Sequence, residues 1–169
     1  MRLSESHTLP VQLDAAWAAL NDVALLQRAL PGCESLIEIA RDEFVGEMAV
    51  PMGLATHHFT VYVHRRDVEA PRRCTLHFET RTAGTNGAGS AALQLTPDDS
   101  ATTALQADIK VDIDGVVGVL GAPLIELAAH EMARQFFEGL RALAAARVRL
   151  TRTGGGGGHA LTRARSAST

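Results

Sequence analysis

Polar and apolar residues alternate over residues 2–9, RLSESHTL, placing Leu3, Glu5, His7 and Leu9 on one face of a first strand that Pro10 ends. The pattern then turns helical. AAWAALND, with Asp14 as N-cap and Trp17 and Leu20 facing inward, predicts a short helix. VALLQRAL predicts a second, which stops before Pro31 because the residue preceding a proline avoids helical backbone. Strand signals follow. CESLIEIA and EFVGEMAV flank Arg41-Asp42 as a hairpin, Pro51-Met52-Gly53 predicts a turn, and ATHHFTVYVHRRDVE is a long alternating strand. The corner EAPR leads to RCTLHFETRT, residues 84–89 read as a glycine-rich bend, and SAALQLT and TALQADIKVDI enclose the turn PDDS. Each strand is expected beside the next, an antiparallel meander of about seven.

After Gly115 the apolar residues Val117, Leu120, Leu124, Leu127, Ala128, Phe136, Leu140 and Leu143 recur near three- and four-residue steps. They form the stripe of a long helix reaching about Arg149, kinked or beginning in earnest at Pro123. A curved antiparallel sheet needs its concave side covered, and this helix is the one element long enough to cover it. The predicted class is α+β, a sheet of about seven strands wrapped around a long C-terminal helix, with two short helices after the first strand. The gap between sheet and helix is the natural cavity. TGGGGGHALTRARSAST has no period and little bulk, so residues 1–150 are expected to fold as one domain and 151–169 to form a disordered tail.

A chain of 169 residues suffices for one core without metal or disulfide staples. Cys33 and Cys74 lack CxxC or Cys/His spacing, so two reduced thiols are expected. No long apolar run free of charge is present and MRLSESHTLP is no signal peptide, which suggests a mature cytoplasmic protein. Charge is uneven. The first 138 residues carry ten basic and nineteen acidic side chains, and six arginines follow them. An acidic body argues against nucleic acid, while the basic end suits anionic lipid or an acidic partner.

Several residues invite chemistry, and most have a plainer explanation. Cys33 follows a helix C-terminus and precedes Glu34, both unfavourable to a thiolate, so RALPGCESL reads as a corner. Pro31 stops the helix, Gly32 turns the chain and Cys33 is a small residue opening the next strand. HEMAR, residues 130–134, has Arg134 where a zinc-binding HExxH needs its second imidazole. His57 and His58 point to opposite sheet faces. If paired residue numbers sum to about 141, His64 lies opposite His77 on the outer face, as a solvated pair rather than a metal site. AGTNGAGS lacks the Lys-Ser/Thr of a phosphate loop and reads as a turn at the cavity mouth. Glu5 and His7 face the covered side and are the candidate polar cavity groups, unless an edge strand leaves both wet. Arg147, Arg149 and Arg152 suit a helix C-terminus by its dipole, and equally an anionic surface.

Three groups of residues carry a resemblance. They are Trp17-Ala18-Ala19-Leu20-Asn21-Asp22 with Pro31-Gly32-Cys33-Glu34, Gly53 ahead of Phe59 with Gly89-Ser90-Ala91, and Gln135-Phe136-Phe137. Over roughly residues 1–145 the chain resembles the CoxG family of carbon monoxide dehydrogenase subunits, a branch of the helix-grip, START-like lipid-transfer superfamily. The resemblance implies the same fold and a role beside a molybdenum hydroxylase of the carbon monoxide dehydrogenase type; it supplies no catalytic residue. Glu5 and His7 stand where relatives usually place small or apolar residues, and the membrane-spanning C-terminal segment of some relatives is not seen.

The expectation is a non-catalytic accessory subunit that holds an apolar ligand, an isoprenoid quinone or another lipid, and links the enzyme to the membrane. It is expected in the cytoplasm, peripheral at the membrane's inner face through its basic C-terminus. The expected cavity wall is Trp17, Phe59, Val61, Phe78, Leu105, Ile109, Leu120, Leu124, Leu127 and Phe136, with no catalytic residue, no metal ligand and no tightly bound cofactor. Two alternatives stay open: a START-like cyclase or hydrolase using His7 and Glu5 as acid and base, and a docking or assembly subunit without a ligand.

Overall fold

The computed structural model describes residues 1–82, 84–115, 119 and 121–154. The chain runs β1 (Arg2–Leu9), α1 (Leu13–Leu20), α2 (Val23–Ala29), β2 (Cys33–Ala40), β3 (Glu43–Met52), β4 (Ala55–Glu69), β5 (Arg73–Thr82), β6 (Thr85–Pro97), β7 (Thr103–Asp114) and α3 (Ala122–Gly154). The strands form one antiparallel, curved sheet in the order β1-β7-β6-β5-β4-β3-β2. From β2 to β7 each strand neighbours the next, as expected. β1 departs from that pattern and pairs with β7, with Leu3 opposite Ile109 and His7 opposite Leu105. No tight turn joins β1 to β2; α1 and α2 instead carry the chain from one sheet edge to the other.

Local chemistry explains the remaining differences from expectation. Gln12 occupies the N-cap of α1 without a capping side-chain bond, and Asp14 lies inside the first turn, where its charge still suits the positive helix end. Asp22 is the working cap: its carboxylate accepts from Leu25 N at 3.0 Å and opens α2. The expected turn at Pro51-Met52-Gly53 starts later, because Pro51 still opposes Thr56 and Met52 opposes Ala55; Gly53, at φ 64°, makes the turn with Leu54. The expected bend at residues 84–89 is mostly strand. Asn86 to Gly89 pair with β5 and with β7, so their backbone groups are satisfied in the ladder despite the glycines. Pro123 sits in the first turn of α3, where its missing N–H costs nothing.

Among the described residues most buried apolar side chains fall into two clusters. The first joins Leu3, Leu9, Leu95 and Leu105 of the sheet to Ala16 and Ala19 of α1, Leu25 and Ala29 of α2, and Ala133, Phe137, Leu140 and Ala144 of α3. The last four recur at four- and three-residue steps, as one face of a helix does. Gly139 lets α2 approach closely, since a Cβ there would stand 3.3 Å from Ala29 Cα. The second cluster holds Met48, Val50, Met52 and Phe59, with Ile125, Ala128 and Met132 of α3 against them.

The helical stripe read from the sequence therefore shifts. Leu127 is 66 % exposed rather than inward, and Phe137 is buried more deeply than Phe136. Val117 and Leu120 lie outside the described residues. α3 continues through residues 151–154, which were expected in the disordered tail; residues 155–169 lie outside the described residues.

Candidate functional site

Pairing fixes which side chains share the inner sheet face. Directly opposed residues lie on one side of the sheet, so three cross-strand rows can be followed from strand to strand. One runs Leu3, Ile109, Ala91, Leu76, Arg65. The next runs Val111, Gly89, Phe78, Val63, Phe44. A third runs Ile113, Gly87, Thr80, Val61, Gly46. The middle row differs from its surroundings: Val111, Phe78, Val63 and Phe44 are half-buried and belong to neither core cluster. Three glycines, Gly46, Gly87 and Gly89, leave the centre of this face thin. The Phe78 ring fills part of that room, because a Cβ on Gly89 would meet it at 2.6 Å. The result is an apolar strip along the concave sheet with packed core on either side.

Polar groups border the strip. Arg65 points inward and its side chain is largely covered; its Nε donates to Asp42 Oδ1 at 2.6 Å, its Nη1 to Asn21 Oδ1, and its guanidinium lies 5.6 Å from the Phe44 ring centroid. At the other sheet edge Glu5 and His7 are part-buried, with Glu5 Oε2 3.0 Å from His7 Nε2 and Glu5 Oε1 4.0 Å from His130 of α3. The His7 ring stacks on Phe137. The alternation of β1 thus turns both groups towards α3, and the imidazole is used in packing.

A cavity of about 350 Å³ opens between α3 and the β2–β3 side of the sheet, lined by Gly32, Val50, Pro51, Ala128, Met132 and Gln135 among others. Gly32 carries the chain into it with φ 71°, where a Cβ would collide with the Ala49 carbonyl, so the Pro-Gly corner admits no larger residue. At its rim Arg134 and Gln135 donate to Glu131 and hold its carboxyl down to about 2. A second hollow of about 400 Å³ at the β5–β7 end is bordered by charged and polar groups, among them Glu79, Arg81, Asn86, Asp112 and Asp114.

Of the predicted wall residues, those that are described do not line one enclosed cavity; Leu120 lies outside the described residues. Leu105 is fully buried in the first cluster, with Trp17, Ile109 and Phe136 packed against it, so these four are core contacts more than wall. Phe59 and Val61 belong to the second cluster and Phe78 to the apolar strip. Leu124 lies near the β3–β4 turn, its Cδ2 3.4 Å from where a Gly53 Cβ would be, and Leu127 faces outward. The sequence reading missed Phe44, Val111, Val50 and Met132. The first three share the alternation that had placed Phe59 and Phe78 inward, and carrying it across the hairpins would have found them.

Each remaining candidate has a local explanation. Burial pushes the thiols of Cys33 and Cys74 above their ordinary value. His64 pairs with His77 on the outer face, and His64 Nδ1 is 3.6 Å from Glu43. Arg134 of HEMAR bonds Glu131 and Glu138. Among the described residues no group of three or more His, Cys, Asp or Glu is arranged to hold a metal ion. No helix among them is long and apolar enough to cross a membrane.

Solved structures share this architecture. A conserved protein from Geobacillus kaustophilus superposes with a TM-score of 0.81 at 18% identity, over 86% of this chain and 96% of that one. A START superfamily protein from Mycobacterium smegmatis gives 0.67 at 10% identity, over 86% and 98%. The Zhui aromatase/cyclase from Streptomyces sp. R1128 gives 0.64 at 17% identity, over 89% and 97%. At these identities they establish the START-like fold and no more. No curated protein compared with the chain matches it. The CoxG family of carbon monoxide dehydrogenase subunits matches residues 6–145, nearly the whole folded part, and the chain belongs to that family.

Proposed function

We propose that this protein is a non-catalytic accessory subunit of a carbon monoxide dehydrogenase-type molybdenum hydroxylase, and that it carries a lipophilic molecule between that enzyme and the membrane. The observation that supports it is the apolar strip of Val111, Phe78, Val63 and Phe44, which lies over a thin, glycine-containing stretch of sheet between two packed clusters. Apolar side chains left half-buried beneath a covering helix gain by burial against a ligand, at roughly 25 cal/mol per Å² removed from water. A flat, isoprenoid quinone-like molecule suits such a strip. A redox enzyme needs an electron acceptor, and quinones reside in membranes; membership of a family of carbon monoxide dehydrogenase subunits supports a redox partner of this kind. The carrier acts in the cytoplasm, peripheral to the membrane, with no tightly bound cofactor.

Native mass spectrometry of protein purified without detergent, followed by organic extraction, tests the carrier function. One lipophile per chain is expected. Apo protein that also takes up nothing from quinone-loaded liposomes would overturn it.

A cyclase reading has one observation in its favour, the inward Glu5–His7 pair at 3.0 Å, in a fold also found in an aromatase/cyclase. Turnover of an aromatic polyketide-like substrate that His7→Ala abolishes, in a protein that remains folded, would establish it.

A further inference from the structure

Large apolar side chains stand exposed at one end of the molecule. Leu54, at the β3–β4 turn, is 109 % exposed, Val119, ahead of α3, is 86 % exposed, and Leu127, in the second turn of α3, is 66 % exposed. They come from separate segments that meet there. Leu124 of α3 lies against Gly53, Leu127 is one turn further along the same helix, and Val119 is two residues from Gly121, whose carbonyl accepts from Leu124 N. Charge is sparse in the stretches they come from: residues 48–56, MAVPMGLAT, and Gly121 to Ile125 hold no Asp, Glu, Lys or Arg, and Glu126 adjoins Leu127. Among Asp, Glu, Lys and Arg, the residues that most closely flank these stretches in sequence, Glu47, Asp114 and Glu126, are all acidic.

We infer that this end is a membrane-docking tip, which inserts Leu54, Val119 and Leu127 into the interface of a zwitterionic phospholipid bilayer. Isolated apolar side chains on a surface need no explanation, but several projecting from one end do. Side chains as exposed as Leu54 and Val119 protrude rather than line a groove, which suits a deformable lipid interface better than a rigid protein socket. The acidic flanks disfavour anionic headgroups and leave the apolar term as the driving force. The basic end of α3 is a different place. Arg147 lies twenty residues beyond Leu127, about 30 Å along the helix, and its guanidinium is bonded to Asp22. The second core cluster, with Met52 and Ile125, lies behind the tip, so docking would bring this end of the sheet-helix gap to the bilayer.

The inference deepens the carrier function, and its test needs no carried ligand. The full chain is floated with quinone-free phosphatidylcholine vesicles at low and at high salt, beside the double variant L54S/L127S. Because both leucines are exposed, the variant keeps the wild-type circular dichroism spectrum and Tm. The wild type is expected to float equally at both salt concentrations, and the variant to partition at least ten-fold more weakly. Wild-type protein that ignores neutral vesicles, or that binds only anionic ones and releases them in high salt, overturns the tip and points to the arginines. Unchanged binding of the variant also overturns it, as does a tip whose variant loses the dehydrogenase while the wild type never floats. Extraction of a lipophile from protein that does not float leaves the carrier standing without the tip; apo protein that floats does the reverse.

Discussion

The imidazole of His7 lies on the ring of Phe137, with centroids 4.2 Å apart and planes 18° from parallel, while its Nε2 stands 3.0 Å from the Glu5 carboxylate. One side chain therefore ties β1 to α3 and holds a part-buried carboxylate beside it. His7→Ala removes both, and the expected loss is about 1–2 kcal/mol in urea unfolding. His7→Phe keeps the ring contact and should recover most of it. A His7→Ala protein as stable as wild type would show that the stack carries no packing energy.

Leu105 and Phe78 were both expected to line a cavity, and the structure separates them. Leu105 is fully buried in the first cluster, so Leu105→Ala should cost about 2–5 kcal/mol. Phe78 is half-buried in the strip and outside both clusters, so Phe78→Ala should cost about 1–2 kcal/mol while sharply lowering lipophile recovery. Paired unfolding curves and extractions check this. Equal stability losses with no change in recovery would make the strip ordinary core.

Gly89 gives a second probe of the same place. A Cβ there meets the Lys110 carbonyl and the Phe78 ring, so Gly89→Ala forces the ring into the gap. Overpacking of this kind costs about 1–3 kcal/mol, and lipophile uptake from liposomes should fall with it. Uptake at the wild-type level would place the ligand elsewhere.

The Cys33 thiol, pushed up by burial from the ordinary 9.0, should stay protonated at neutral pH. Alkylation by iodoacetamide is expected to be slow at pH 7 and to accelerate only above about pH 9. The sign for stability follows. A raised thiol value contributes fully below the unfolded value and is lost as pH rises through the folded one, so Cys33→Ala should flatten the alkaline limb of the stability curve. Rapid labelling at pH 7 would contradict a half-buried corner thiol.

Much of this architecture was legible from alternation alone. The ends of β2, β4 and β5, the His64–His77 register and the inward face of β4 follow from a period of two and from hairpin turns a few residues long. Gly32 was legible for a similarly local reason: a proline and a glycine between two periodic segments mark a corner. Leu127 was not. Positions three and four residues apart on α3 are alike in sequence, and choosing between Phe136 and Phe137, or turning Leu127 outward, depends on which neighbours reach the helix.

The sequence by itself determined the element types, the strand partners from β2 to β7 and the family, because these depend on local period, turn chemistry and motif order. The tertiary structure alone decided that β1 closes against β7, that the described core divides into two clusters with a half-buried strip between them, and that the β3–β4 turn and the start of α3 leave Leu54 and Leu127 exposed. Each of these is a relation between residues distant along the chain, set by how a curved sheet and a long helix share a limited volume, and no local pattern encodes it.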